Sequence, residues 1–410
     1  MSQGNQITRR GFLKAAAASA GALLGPGPGL FSGRAAQERA RIFRVDGCPV
    51  HDGARRHRGV DALLALMARS GLPLFQTSAS HPWGSPQGLI AADDVVLLKV
   101  NCQWRCRGAT NTDLVRGLIH RLLEHPDGFR GEVVIIENGQ GRGAFDGLVP
   151  AQGAYAAYPG IIGRVRVNAE QENRLTVDYL VNTVFAGQPV SAYLLDDIRE
   201  IFIGRDDHAT DGYRRLREAR VSYPCFTTAG GRRVELREGL WDGSAYRSNL
   251  KLINIPVLKH HDTNGTGLTG ALKNSYGLLS MYDGWSGERH YRDSGLQAGR
   301  MYSLVRTPVL HLLDCIWVPF ASLRGWPEST VRRLDLLLAG RDPVALDWYA
   351  GKRVLLPLGG EYAAVHDPDS YSGLIRHLED ARQTINQNGG LFGQPARSGQ
   401  ASIEVLSARV

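Results

Sequence analysis

Residues 93–138, "DDVVLLKVNCQWRCRGATNTDLVRGLIHRLLEHPDGFRGEVVIIEN", decide the fold class. Val95–Leu98 is an unbroken apolar run of strand length that ends at Lys99 and Asn101. A Gly-containing loop follows. Apolar residues then recur at 114, 115, 118, 119, 122 and 123. That is helical spacing, with Asn111 or Thr112 as N-cap and Asp113 in the first turn. Val133–Ile136 is a second buried-strand run, closed by Glu137 and Asn138. Strand, helix and strand in this order predict a βαβ unit with a parallel pair.

The same alternation extends on both sides. Residues 59–71 read as a helix, "KLINIPVLK" (251–259) and "RRLDLLLAG" (332–340) as further α/β segments, and Asp342-Pro343 as a helix start. A last helix is expected at about 370–387 and a strand at "ASIEVLS". The segment from about 150 to 245 differs. Short strands at "RVRVNA" (164–169) and "EIFIG" (200–204), and a hairpin about Gly230-Gly231, suggest an insertion. The expectation is an α/β fold over residues 37–410, a mostly parallel sheet with helices on both faces and a β-rich insertion.

Residues 1–36 read as a targeting segment and linker. In "TRRGFLKAAAASAGALLG", Arg9 and Arg10 precede Phe12, Leu13, Lys14 and an Ala-rich run, and "GPGPG" follows as a breaker. The pattern resembles a twin-arginine export signal, with cleavage expected near Ala35 or Ala36. It implies passage through the twin-arginine export machinery to a periplasmic or extracellular location. The apolar run is too short for a stable membrane span.

Hydrophobic residues make up 43% of the chain and charged residues 21%, enough for a substantial core. The net charge of +8 favours anionic ligands in a general way. The basic residues are dispersed and no nucleic-acid-binding signature is present, so no nucleic-acid partner is expected. Of the five cysteines only Cys102 and Cys106 are close in sequence. Zinc and iron–sulfur sites normally recruit four ligands, so no metal site is assigned.

Ligands of open α/β sheets bind beyond the carboxyl ends of the strands. Three strand ends carry the informative residues: Lys99 and Asn101, Glu137 and Asn138, and Lys259, His260 and His261. After the third comes "GTGLTGALKNSYG" (265–277), small and polar, with Thr266, Thr269, Lys273 and Asn274. If Thr266–Ser280 is helical, Thr266, Thr269 and Lys273 share one face, and the glycines permit close approach of backbone to ligand. Neighbouring side chains of an extended chain point opposite ways, so His260 and His261 do not readily serve one metal. Lys259 and Lys273, as cations lining a wet cleft, should add little to stability. Asp314 is a further candidate; for Asp342 an N-cap role suffices.

"VVLLKVNCQ", "TNTDLVRGLIHRLLE", "EVVIIEN", "INIPVLKHH" with "GTGLTGALKNSYGLL", and "LLLAGRDPVALDWYA" resemble, in order, the blocks of family 362 of the domain-of-unknown-function series. Many members carry a ferredoxin-like cluster or cysteine motif, which this chain lacks. The layout is also similar to that of the nickel-pincer lactate racemase group, although the individual motifs differ.

The leading reading is an exported enzyme using Lys/His acid–base chemistry on a small anionic substrate or anionic cofactor. Lys259, His260, His261 and Lys273 are the catalytic candidates. Lys99, Asn101, Glu137, Thr266, Thr269, Asn274 and Asp314 are the substrate-binding candidates. The alternatives are a non-catalytic metal- or cofactor-binding protein and a redox protein using Cys102 and Cys106. The residues name no particular cofactor.

Overall fold

A computed structural model describes residues 38–48, 56–104, 106–140, 145–146, 167–170, 174–261, 265–285 and 290–410. The expected export signal lies outside the described residues. Arg39–Val410 forms one compact unit.

Its frame is an eight-stranded sheet in the order Ile403–Arg409, Ala40–Asp46, Val331–Gly340, Leu310–Pro319, Leu250–Asn254, Val95–Lys99, Glu132–Glu137, Val190–Leu194. Only Val331–Gly340 runs against its neighbours; the other pairings are parallel. The α/β expectation holds, with that one reversal. Period-two alternation places Val95 and Leu97 in one hydrophobic layer and Val96 and Leu98 in the other.

The helix Thr112–Leu123 starts on Asn111, whose side chain accepts from the amides of Asp113 and Leu114. Its Leu114, Val115, Leu118, Ile119 and Leu122 pack into one layer, with the helix Arg58–Arg69. The helices Ser294–Arg300, Pro343–Ala350 and Ser372–Gln387 build the opposite layer. Asp342 caps the second of these through the amides of Val344 and Ala345, as its Asp-Pro start predicts.

The crossover from Val95–Lys99 leads to Glu132–Glu137, whereas that from Leu250–Asn254 leads to Leu310–Pro319 on the other side. Right-handed crossovers running in opposite directions put their helices on opposite faces. Beyond the carboxyl ends of the adjacent, paired strands Val95–Lys99 and Leu250–Asn254 the two connections therefore leave in opposite directions, which makes this the switch point of the sheet.

Several local expectations are corrected. Strands Ala40–Asp46 and Leu310–Pro319 had no counterpart in the sequence reading. Val190–Leu194, within the expected insertion, is the edge of the main sheet. The antiparallel β-rich part is a five-stranded sheet over Gly212–Arg247, including the expected hairpin between Val221–Thr227 and Arg233–Glu235. "EIFIG" contributes only a bridge from Phe202 to Tyr213. Of "RVRVNA", 164–166 lie outside the described residues and 167–169 are not strand.

Thr266–Ser280 is not one helix. A turn leads into the two-residue strand Leu268–Thr269, which pairs antiparallel with Lys259–His260; a 3₁₀ helix then spans Lys273–Leu278. The physical reason is the buried Asp347 carboxylate, which accepts the amides of Ala271 (2.6 Å) and Leu272 (2.9 Å). These bonds hold the chain in a bend there. Gly270 lies so close that a Cβ would sit 2.2 Å from Asp347 Oδ1.

Among the described residues no helix is long and apolar enough to cross a membrane. All five cysteines are buried and unbridged.

Candidate functional site

At the switch point lies a cavity of about 140 Å³, lined among others by Asn101, Glu137, Lys259, His261, Thr269, Lys273 and Asn274. Its first wall comes from the βαβ unit. Lys99 Nζ lies 3.1 Å from Glu137 Oε1 and 3.2 Å from Asn274 Oδ1. Glu137 also accepts the amides of Cys102 (3.0 Å) and Asn138 (2.8 Å). Asn101 is fixed through its backbone: its amide donates to Thr110 Oγ1 (2.8 Å), whose hydroxyl donates to Ile255 O (2.7 Å).

The second wall follows the strand Leu250–Asn254. Leu258 N donates to Asp314 O and Asp314 N to Pro256 O, both at 2.8 Å, so the long strand Leu310–Pro319 guides the chain to Lys259. Lys259 Nζ donates to Gly108 O (2.6 Å) and to Asn101 Oδ1 (3.2 Å). Asn274 ties the walls together: its Nδ2 donates to Asn254 Oδ1 (2.8 Å) and its Oδ1 accepts from Lys99. Lys273 Nζ donates to His290 O and lies 4.5 Å from the Tyr276 ring centroid.

Both lysines of this wall are buried, Lys259 at 2% and Lys273 at 5% exposure, which corrects the expectation of solvated cations. Burial dominates the electrostatics. It pulls the Lys259 ammonium down to about 7, with Glu137 opposing and Lys99 adding to the fall. It likewise pulls Lys99 down and pushes Glu137 up, against their mutual attraction. An amine that is half neutral near pH 7 both accepts protons and attacks electrophiles.

The sequence candidates divide by position. Lys99 sits behind the cavity wall and holds Glu137 and Asn274. His261 faces the cavity, but His260 turns away, 3.0 Å from His366 Nε2 through Nδ1 and stacked on Tyr362 with ring centroids 4.5 Å apart. Thr266 bonds the carbonyl of Leu268. Asp314 accepts the amides of Asn111 (2.8 Å) and Ile316 (3.0 Å), and burial pushes its carboxyl up to about 7. It anchors the loop that carries Asn101 rather than lining the cavity.

The sequence reading missed Gln103, Tyr276 and His290 on the lining, and His377 behind it. His377 Nδ1 is 2.9 Å from Ser294 Oγ, and burial, with Lys273 and His261 nearby, lowers the imidazole to about 3. Gln103 and Tyr276 lie within the quoted stretches "VVLLKVNCQ" and "GTGLTGALKNSYG" without a charge or spacing that singled them out, and His290 and His377 lie in no such stretch. Among the described residues no three His, Cys, Asp or Glu side chains are grouped to hold a metal ion.

Residues 238–352 match the family described as Domain of unknown function (DUF362). No curated protein and no solved structure matches the chain. The matched segment contains the second wall, from Asn254 to Asn274, with Asp314 and Asp347. Lys99, Asn101 and Glu137 lie outside it.

Proposed function

We propose that this chain is an exported enzyme that moves protons on a small anionic substrate held in the cavity at the switch point. One observation carries the reading. Lys259 is buried in the cavity wall, and both hydrogen bonds from its nitrogen go to neutral oxygens, Gly108 O and Asn101 Oδ1. A buried lysine held only by neutral acceptors favours the unprotonated amine, because burying a lone ammonium costs several kcal/mol, about. Such a group suits a general base or acid near neutral pH. Lys273 supplies a second nitrogen for an anionic group, and His261 and Glu137 line the same space.

A cavity of about 140 Å³ is well below the roughly 300–1,000 Å³ of clefts that take drug-sized ligands. It suits a substrate of a few heavy atoms. Arg9 and Arg10, in "TRRGFLK", support delivery by the twin-arginine machinery to a periplasmic or extracellular site.

Calorimetry with small mono- and dicarboxylates and inorganic phosphate, followed by proton NMR of the bound acid in heavy water, tests the reading. Exchange of a carbon-bound hydrogen for deuterium, lost in Lys259→Met, is expected. Absence of binding by every anion of the panel would sink it.

A further inference from the structure

We infer that Lys259 is a covalent centre, condensing through Nζ with the carbonyl of a small 2-oxo acid to form a Schiff base. The inference rests on the proposed reading of this cavity and adds the substrate class. Its ground is the geometry about one nitrogen. A neutral amine has two N–H bonds and one lone pair. The two donors are taken by Gly108 O at 2.6 Å and Asn101 Oδ1 at 3.2 Å. With both hydrogens committed, the lone pair takes the remaining tetrahedral position, and Lys259 forms part of the cavity wall. A lysine held for charge alone is better served by a carboxylate, as Lys99 is served by Glu137. Its amine, near 7 through burial, is substantially neutral at physiological pH.

The rest of the lining fits the substrate's other features. Lys273 borders the same small cavity and suits the carboxylate that a 2-oxo acid carries next to its carbonyl. Asn101 and Asn274 provide amides beside the reacting centre. Glu137, its carboxyl raised by burial against the attraction of Lys99, lines the cavity. The nitrogen pair attacks the carbonyl carbon, the π pair moves to oxygen, and one proton of the nitrogen passes through the Glu137 carboxylate to that oxygen. The second proton of the nitrogen passes by the same carboxylate to the carbinolamine hydroxyl, which leaves as water as the N=C bond forms. Amine and ketone thus give imine and water, with no change of oxidation state.

The test uses the whole chain with pyruvate and, separately, glyoxylate, each with sodium borohydride. Borohydride gives hydride to the imine carbon and traps a secondary amine. Peptide mapping by mass spectrometry then locates the adduct. Lys251 and Lys352 are part-exposed and salt-bridged, and serve as internal controls that need no variant. The expected result is labelling of Lys259 roughly tenfold or more above either control at pH 7, absent in Lys259→Met. Binding of both acids by calorimetry with no adduct on Lys259 overturns the covalent step and leaves the anion site standing. Failure of both acids to bind, while phosphate or a saturated carboxylate does, overturns the 2-oxo acid assignment alone. Failure of every anion overturns this inference and the proposed function together.

Discussion

Lys99 Nζ and Glu137 Oε1 lie 3.1 Å apart at the ends of adjacent parallel strands, with side-chain exposures of 1% and 2%. The pair ties the two strands of the βαβ unit together beneath the cavity, and it is dry enough that neither partner is tolerated alone.

Lys99→Met or Glu137→Gln should therefore each destabilise the protein, Lys99→Met by about 3–5 kcal/mol because a buried carboxylate is left without its cation. The double variant should lose clearly less than the sum. Urea unfolding of the four proteins measures the coupling; additive losses would mean the two side chains do not depend on each other.

Lys259 makes stability depend on pH in a set direction. Its folded value is about 7 against about 10.4 for an unfolded lysine. Between these values the unfolded chain holds more protons, so this residue's contribution to stability rises with pH, by about 1.4 kcal/mol per unit at most. Below pH 7 the full cost of burying the amine is present. The difference in melting temperature between wild type and Lys259→Met should shift in favour of the wild type from pH 7 to 9. A constant difference would show that the amine stays charged when folded.

Gly277→Ala should disturb the site rather than the sheet. A Cβ there would meet Glu137 Oε1 at 2.3 Å and Lys99 Nζ at 2.4 Å. Overpacking of this kind costs about 1–3 kcal/mol. Anion affinity by calorimetry should fall while far-ultraviolet circular dichroism is unchanged. Unaltered affinity would show that the Lys99–Glu137 pair does not shape the cavity.

Asp347→Ala removes the acceptor for two buried amides, those of Ala271 and Leu272. Each unpaired amide costs about 1–3 kcal/mol, and hydrogen exchange at Ala271 and Leu272 should accelerate more than in the Pro343–Ala350 helix that carries Asp347. Uniform acceleration would point to a role in packing instead.

Replacing Arg9 and Arg10 together with lysine should leave the precursor in the cytoplasm. Normal arrival of the doubly changed protein outside the membrane would exclude the twin-arginine route.

The βαβ unit was legible because its signals are local: Val95–Leu98 alternate between two covered faces, and Asn111 caps the helix that follows it. Ala40–Asp46 was not, since Arg41 and Arg44 interrupt its apolar run. Leu310–Pro319 was hidden by His311 and Asp314, polar residues that it buries. Asp314 belongs there because it bonds the amide of Asn111, far away in sequence. The strand ends bearing Lys99, Asn101, Glu137 and Lys259 could be named from position alone. The bend after Leu268 could not, because its cause is Asp347 on a later helix. Nor could the burial of the lysines, which depends on what the 3₁₀ helix Lys273–Leu278 covers.

The first strand, Ala40–Asp46, lies between two partners made much later, Val331–Gly340 and Ile403–Arg409. At ~5–20 residues per second, synthesis leaves it without either neighbour for on the order of ten seconds to a minute. During that interval Ile42, Phe43 and Val45, all buried in the finished sheet, have no sheet to join. Ala40–Asp46 thus waits, as an edge with no partner on either side, for strands made near the other end of the chain.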